Sequence, residues 1–424
     1  MIYFLFFPGC STEQAVKHLN GKPTMKVIDA STGKPIKDAI VTIKNDVVLT
    51  DENGNFTVKP DISKVFVRAH GYLRAEKNIE KSGFSLSSRN SISVIKLTPF
   101  VPKALYLSVY GVGSTVLRSA ALSLAEKGEI NALVIDVKGD KGLIPHRSSI
   151  KLAADIGAQK IITVKDMKGL IQTLKQKGIY TIARIVVFKD NLLGLARPDL
   201  TIKTADGNIW RDRENLVWVD PSKREVWNYV TSVAVEAAQI GFDEIQFDYV
   251  RFPDTKGLMF SIPNTEENRV NTITGFLTEA KKQLVPYNVF LSADIFGYVS
   301  WNQNDTFIGQ RLKDLSPILD YLSPMLYPSG FQFGIPGYRI PVAHPHEIVY
   351  LTLKKSQERT NLPPNRFRPW LQAFRDYAFD RRHFNAREIR EQIDAAEKFG
   401  SNGWMLWNPR NVYSSIKTVK NNPE

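Results

Sequence analysis

Two aspartates, Asp248 and Asp294, stand near the ends of strand-like segments, where carboxyl groups could do acid–base work. In FDEIQFDYVRFP (242–253) the apolar Ile245, Phe247 and Tyr249 alternate with Glu244, Gln246 and Asp248. In FLSADIFG (290–297) Leu291, Ala293 and Ile295 alternate with Ser292 and Asp294. Successive side chains of a strand point to opposite faces, so each segment carries one apolar and one polar face. Neighbouring strands lie ~4.8 Å apart, and two carboxyls at similar heights on such strands could bracket one scissile bond. Glycosidic cleavage needs two carboxyls in unlike environments. One stays ionised to attack or stabilise the anomeric centre, and the other stays protonated to assist the leaving oxygen. Asp248 takes the role of nucleophile or base in this reading, and Asp294 that of general acid.

The same alternation in NALVIDVKG (131–139) sets Asp136 and Lys138 on the polar face, and extended along the chain it adds Arg184, Tyr327, Gln372 and Trp407. Burying a charge without a partner costs several kcal/mol or more. The polar set is therefore either a salt-bridge network or an active site, and its gathering near strand C-terminal ends favours the second. Asp136 and Lys138 suit either sugar hydroxyls or a mutual ion pair. Tyr327 and Trp407 suit either stacking on pyranose rings or packing, and Gln372 joins the substrate-binding set. Arg251 either pairs with Asp248 and holds it ionised or leans outward to anchor the loop at Pro253. Glu244 falls at a strand's N-terminal end and reads as structural, with Gln246 as support. His146 reads as a surface histidine. His344, His346 and His383 share no metal-like spacing, so neither a metal nor a cofactor is expected.

The elements that must carry these residues follow from the period of the pattern. From Lys103 onward the strand candidates ALYLSVY, NALVIDVKG, IYTIARIVVF, FDEIQFDYV, VFLSADIFG, YLSPMLYPSG, FRPWLQAF and GWMLWN alternate with helical segments. Several of those helices end at Gly128, Gly178, Gly241 or Gly400, where a C-cap favours a left-handed residue. Eight alternations in about 320 residues predict an α/β fold of the (β/α)8 TIM-barrel type over 103–424. An open doubly wound sheet is the runner-up, but VYGVGSTV is a poor match to its glycine fingerprint. Over 23–99 the runs are short and alternate at period two, with ENGN as a hairpin signal. That segment predicts a small N-terminal antiparallel β-sandwich.

At 424 residues, two domains or one barrel with an attachment is the expectation. Lys and Arg number 56 against 43 Asp and Glu, a net charge of +13 that favours anionic surroundings. No basic run, zinc spacing or phosphate loop accompanies it, so nucleic acid is not an expected partner. The single cysteine, Cys10, excludes a disulfide framework. It follows Gly9 and a short apolar run in MIYFLFFPGCSTEQ, which resembles the end of a bacterial lipoprotein signal over 1–22. The resemblance implies lipidation of Cys10, a membrane-surface anchor and an extracytoplasmic location, although the run lacks a basic leading segment.

Two family resemblances add to this reading. STGKPIKDAIVTI, TDENGNFTV and AHGY resemble the carboxypeptidase-regulatory-like modules, which implies a spacer or adhesive attachment over 23–99. NALVIDVKGDKGLI, RENLVWVDPSKREVWNY, AAQIGFDEIQFDYVRFP, LSADIFG, DYLSPMLYPSG, RPWLQAF and GWMLWN resemble, in order, the bacterial "putative glycoside-hydrolase domain" family of undefined substrates. That resemblance implies a TIM barrel and hydrolysis of a polysaccharide or cell-envelope glycan. A glycosidase-like barrel that binds carbohydrate without turnover is the alternative. Gly330 and Phe331 depart from the family pattern, which would place a His-Tyr pair there, and His346 stands where an aromatic would be usual.

Overall fold

The computed structural model describes residues 24–59, 61–79 and 93–413. Cys10 and the lipidation reading attached to it lie outside the described residues. The first seven strands are β1 (Thr24–Asp29), β2 (Ile40–Ile43), β3 (Asp46–Leu49), β4 (Asn55–Thr57), β5 (Lys64–Arg68), β6 (Ala75–Asn78) and β7 (Ser93–Leu97). They form two sheets, β4-β1-β7 and β3-β2-β5-β6. Val27, Phe56 and Leu97 of one sheet and Val41, Val65 and Val67 of the other share one core.

Two details differ from the sequence reading. Strand β1 pairs with β4 antiparallel but with β7 in parallel; period-two alternation carries no strand direction. The ENGN turn joins β3 to β4, which lie in different sheets, so it is a corner between sheets and not a hairpin. Glycine is required at its centre: Gly54 has φ +74°, and a Cβ there would meet the Val27 carbonyl oxygen at 2.4 Å.

From Lys103 eight parallel strands close into a barrel. They are β8 (Lys103–Leu107), β9 (Ala132–Lys138), β10 (Tyr180–Val186), β11 (Glu244–Asp248), β12 (Phe290–Phe296), β13 (Tyr321–Met325), β14 (Trp370–Gln372) and β15 (Trp404–Trp407), each paired with its sequence neighbour and β15 with β8. Closure decides against the doubly wound alternative. The helix Arg224–Ile240 shows why such segments fold and pack: Val226, Val230, Val233 and Ala237 recur at helical spacing and are buried, and the helix ends at Gly241 with φ +116°. Ile135, Ile245, Phe247, Leu291, Ala293 and Ile295 join the core between strands and helices. Tyr106, Val134, Ile182, Phe290, Tyr321, Trp370 and Met405 form a separate cluster inside the barrel. The alternation therefore divides the side chains between helix layer and lumen as the pattern dictates.

It fails at one point. Strand β9 pairs Asp136 with Arg184 but Lys138, not Val137, with Ile185. The extra residue flips the alternation. Lys138 thus leaves the lumen set, and its amine bonds Asp190 (2.8 Å) and the Val186 carbonyl (2.7 Å) in a fully buried position.

The N-terminal module closes the barrel's N-terminal mouth. The Arg74 guanidinium donates to Asp243 (2.9 Å) and to the carbonyls of Phe242 (3.2 Å), Tyr287 (3.3 Å) and Asn288 (3.2 Å), all at the entries to β11 and β12. The Gly71 amide donates to the Tyr321 hydroxyl (3.1 Å), and Leu73 and Phe100 pack against the lumen cluster. The opposite, C-terminal mouth carries the candidate site.

Candidate active site

Arg184, from the middle of β10, is the hub of the lumen's upper layer. Its Nε and Nη2 both donate to Asp248 Oδ2, at 2.9 and 2.5 Å, its Nη1 to Asp136 Oδ1 at 2.7 Å, and its Nη2 also to Asp140 at 3.3 Å. Tyr106 donates its hydroxyl to the other Asp136 oxygen at 2.7 Å. The guanidinium lies 4.8 Å from the Trp407 ring centroid and 5.4 Å from that of Tyr106, and those two rings stack at 3.9 Å. Burial works against the charge on Arg184, yet the carboxylates of Asp248 and Asp136 outweigh it and push its pKa upward. Asp136 is itself pushed up to about 6, by burial and by the nearby charge of Asp140, against the pull of Arg184.

Asp248 closes β11, and its Oδ1 accepts from the Tyr249 amide at 2.6 Å. Tyr249 takes a left-handed backbone, φ +49°, rare for a bulky side chain and costing about 1–3 kcal/mol. This break ends the strand and leaves Asp248 facing the mouth. Asp294, on β12, stands in a different setting. It is 2% exposed, and its Oδ1 accepts from the Trp370 indole at 2.7 Å. Its Oδ2 has no hydrogen-bond partner among the described residues. Burial first, and then the negative charge of Asp248, drive the Asp294 pKa well above the usual carboxylate range, against Arg184 and the indole bond.

A cavity of about 230 Å³ opens over these groups. Its walls include Asp248, Asp294, Arg184, Arg251, Tyr327, Trp370 and Trp407. Burial and the charges of Asp294 and Asp248 raise the Tyr327 pKa, which keeps its hydroxyl a proton donor beside the two acids. A larger cavity, about 390 Å³, lies between the N-terminal module and the barrel floor, where Arg74 and Lys175 both pair with Asp243. It is on the face where barrel residues serve stability.

Five of the eight residues assigned to catalysis or substrate binding line the cavity, Asp248, Asp294, Arg251, Tyr327 and Trp407, and Asp136 stands one step behind it through Arg184. The structure corrects two assignments, Lys138 and Gln372, and for Arg251 it decides between the two alternatives. Lys138 neither pairs with Asp136 nor reaches the cavity, because of the irregularity in β9. Gln372 is fully buried beneath the rim: it accepts from the Ser329 amide (3.0 Å) and donates to the Ser329 hydroxyl (2.7 Å) and the Phe374 carbonyl (3.1 Å). It thereby fixes the loops that carry Tyr327 and Tyr377. Arg251 does not pair with Asp248; it donates to the Phe252 carbonyl (3.0 Å) and lies over the Trp218 ring (5.0 Å), still facing the cavity.

Glu244 accepts from Tyr180 (2.9 Å), Ser292 (2.6 Å) and Arg368 (2.5 Å) at the bottom of the lumen, a closed structural network. Gln246 lies just above it, donating to Ser323 at 3.2 Å. His146 is buried beside Glu236 (3.4 Å) and is not a surface residue. Gly330 and Phe331 form part of the cavity wall. Trp370 was absent from the candidate set although RPWLQAF contains it, because an indole on a strand has the apolar look of core. Its only signal was parity with Gln372.

Residues 104–413 match the family described as "Putative glycosyl hydrolase domain". A hypothetical protein from Ruminiclostridium thermocellum is 40% identical over 45% of this chain and 96% of its own, with a TM-score of 0.40. The PgaB (BpsB) glycoside hydrolase domain from Bordetella bronchiseptica is 11% identical over 73% of this chain and 95% of its own, with a TM-score of 0.53, a likeness of fold. A chitinase from Chromobacterium violaceum is 13% identical over 74% and 96%, with a TM-score of 0.42. No curated protein matches the chain.

Proposed function

The chain belongs to the putative glycosyl hydrolase domain family, and on that premise we propose that it hydrolyses a polysaccharide or cell-envelope glycan with Asp294 as general acid and Asp248 as nucleophile or base. The observation that supports this most is the unlike setting of the two carboxyls. Asp248 faces a guanidinium through two N–H donors, whereas Asp294 is buried with its pKa raised and one oxygen without a hydrogen-bond partner among the described residues. Unlike settings of this kind assign acid and base roles. In the reaction the glycosidic C–O bond breaks with its electron pair going to oxygen, which takes the proton from Asp294 Oδ2. The anomeric carbon receives either the Asp248 carboxylate or a water whose proton Asp248 accepts. Arg184 holds Asp248 in place and is a positioning residue.

The test is a screen of purified protein against bacterial and plant glycans with product analysis, repeated with D248N and D294N. D248N should abolish cleavage with an unchanged melting temperature. D294N should lose about 10²- to 10⁴-fold on glycans and recover on aryl glycosides whose leaving group needs no proton. Full activity in D248N would overturn the assignment, and binding without cleavage by the wild type would favour a non-catalytic carbohydrate-binding role. The Gly9-Cys10 pattern supports a further part of the proposal, an extracytoplasmic lipid-anchored location. Palmitate labelling that persists after Cys10→Ala would overturn that part.

A further inference from the structure

The cavity above the acids holds about 230 Å³, below the ~300–1,000 Å³ usual for small-molecule pockets, so a glycan chain must continue over the rim. One sector of that rim is aromatic. Phe331 is in the cavity wall, the Tyr298 ring stands edge-on to it at 5.1 Å, and Phe333 lies 6.2 Å beyond Tyr298 at a tilt of 42°. From the next strand's loop, Tyr377 reaches the cavity with its ring parallel to Phe374.

Phe333 is 93% exposed. Single exposed hydrophobes are ordinary on protein surfaces, but this one sits on a turn that is locked in place. The Tyr298 hydroxyl accepts from the Phe333 amide (2.8 Å) and donates to the Gly334 carbonyl (3.2 Å). The Gly334 amide donates to the Phe331 carbonyl (2.8 Å). Gly334 has φ +73°, and a Cβ there would meet the Tyr338 carbonyl at 2.6 Å, so the turn is tight against the chain that returns past it. The chain thus holds an exposed phenyl ring at the end of an aromatic row that begins at Phe331 in the cavity wall.

We propose that Phe333 is a sugar-stacking subsite outside the cavity, taking the apolar face of a hexopyranose in a glycan chain that leaves the cleft over Tyr298. The polarised C–H bonds on one face of a pyranose meet the negative face of the ring, as edges of aromatic rings do. The proposal rests on the hydrolase reading only in taking a glycan as ligand, and it makes the substrate a chain rather than a free disaccharide.

The experiment is affinity electrophoresis of full-length D248N, which cannot turn its ligand over, through gels containing glycol chitin, hydroxyethyl cellulose, soluble starch or alginate. At least one polymer should retard D248N. F333A in the same background should bind that polymer roughly three- to tenfold more weakly, and F333W should restore binding. Melting temperatures report folding, which the exposure of Phe333 leaves little reason to change. Equal retardation of D248N and D248N/F333A in every gel would overturn the subsite. So would the absence of any retardation in a protein whose wild type cleaves an aryl glycoside, and that result would leave the hydrolase reading standing. Phe333-dependent binding by a wild type that cleaves nothing would keep the subsite and remove the hydrolase reading.

Discussion

The indole bond to Asp294 offers a sharp test of the acid assignment. Trp370→Phe keeps an aromatic ring in the lumen and deletes the N–H that donates to Asp294 Oδ1 at 2.7 Å. Such a bond contributes about 1.5–3 kcal/mol to an ionised acceptor but only about 1 kcal/mol to a neutral one. Its loss therefore disfavours ionised Asp294 by a further ~0.5–2 kcal/mol. At about 1.4 kcal/mol per pKa unit, the Asp294 pKa should rise by roughly one unit. An acid that must be protonated to act sets the alkaline limb of kcat/KM against pH. That limb should move to higher pH by about one unit in W370F, while the acid limb stays in place. Stability should fall by about 1–2 kcal/mol, from the lost bond and the vacated volume. The assay is a pH–rate profile on whichever glycan the screen identifies. A uniform loss of rate with the limb unmoved, or a limb displaced to lower pH, would refute the reasoning, since either means that the indole does not act through the acid.

Two further outcomes follow from the same physics. Asp136 is pushed up to about 6 from an ordinary 3.8, so the folded protein binds more protons than the unfolded chain between those values, and stability contributed at low pH is lost as pH rises through them. D136N should lack that loss, gaining on the wild type by about 2.4 kcal/mol from pH 4 to pH 7 in denaturant melts; a constant difference between the two proteins would contradict it. Arg74→Met should cost about 2–3 kcal/mol through the charge-assisted bonds that hold the module under the barrel. Limited proteolysis should then cut near residue 100 faster, and an unchanged melt and digest would show that the module is held by other contacts.

Much of the site was legible in one dimension because strands impose a period of two. Asp248, Asp294, Arg184 and Glu244 were assigned to the lumen by parity alone, and the height of each along its strand separated Glu244 from the acids. Lys138 shows where the rule breaks: one unpaired residue in β9 reverses every position after it, and nothing in VIDVKG marks that residue. Gln372 has the correct parity and is nevertheless buried, because rim loops fold over it and take up its amide. Trp370 was overlooked for a complementary reason, since the polar atom of an indole is invisible to hydropathy. Strand direction in the N-terminal module was equally hidden, as β1 and β7 alternate alike in either orientation.

The sequence by itself determined the eight strand–helix alternations, the inward side of the strands up to the irregularity in β9 and the presence of carboxyls near the strand ends. These are local properties, set by side-chain period and by glycines at helix termini. Tertiary structure decided which cation meets which acid. Arg184 and Asp248 are 64 residues apart and meet at 2.5 Å through the pairing of β10 with β11, whereas Trp370 and Asp294, 76 residues apart on strands that do not pair, meet at 2.7 Å inside the lumen. Because burial and neighbouring charge set a carboxyl's proton affinity, the division of labour between two chemically identical aspartates belongs to the fold.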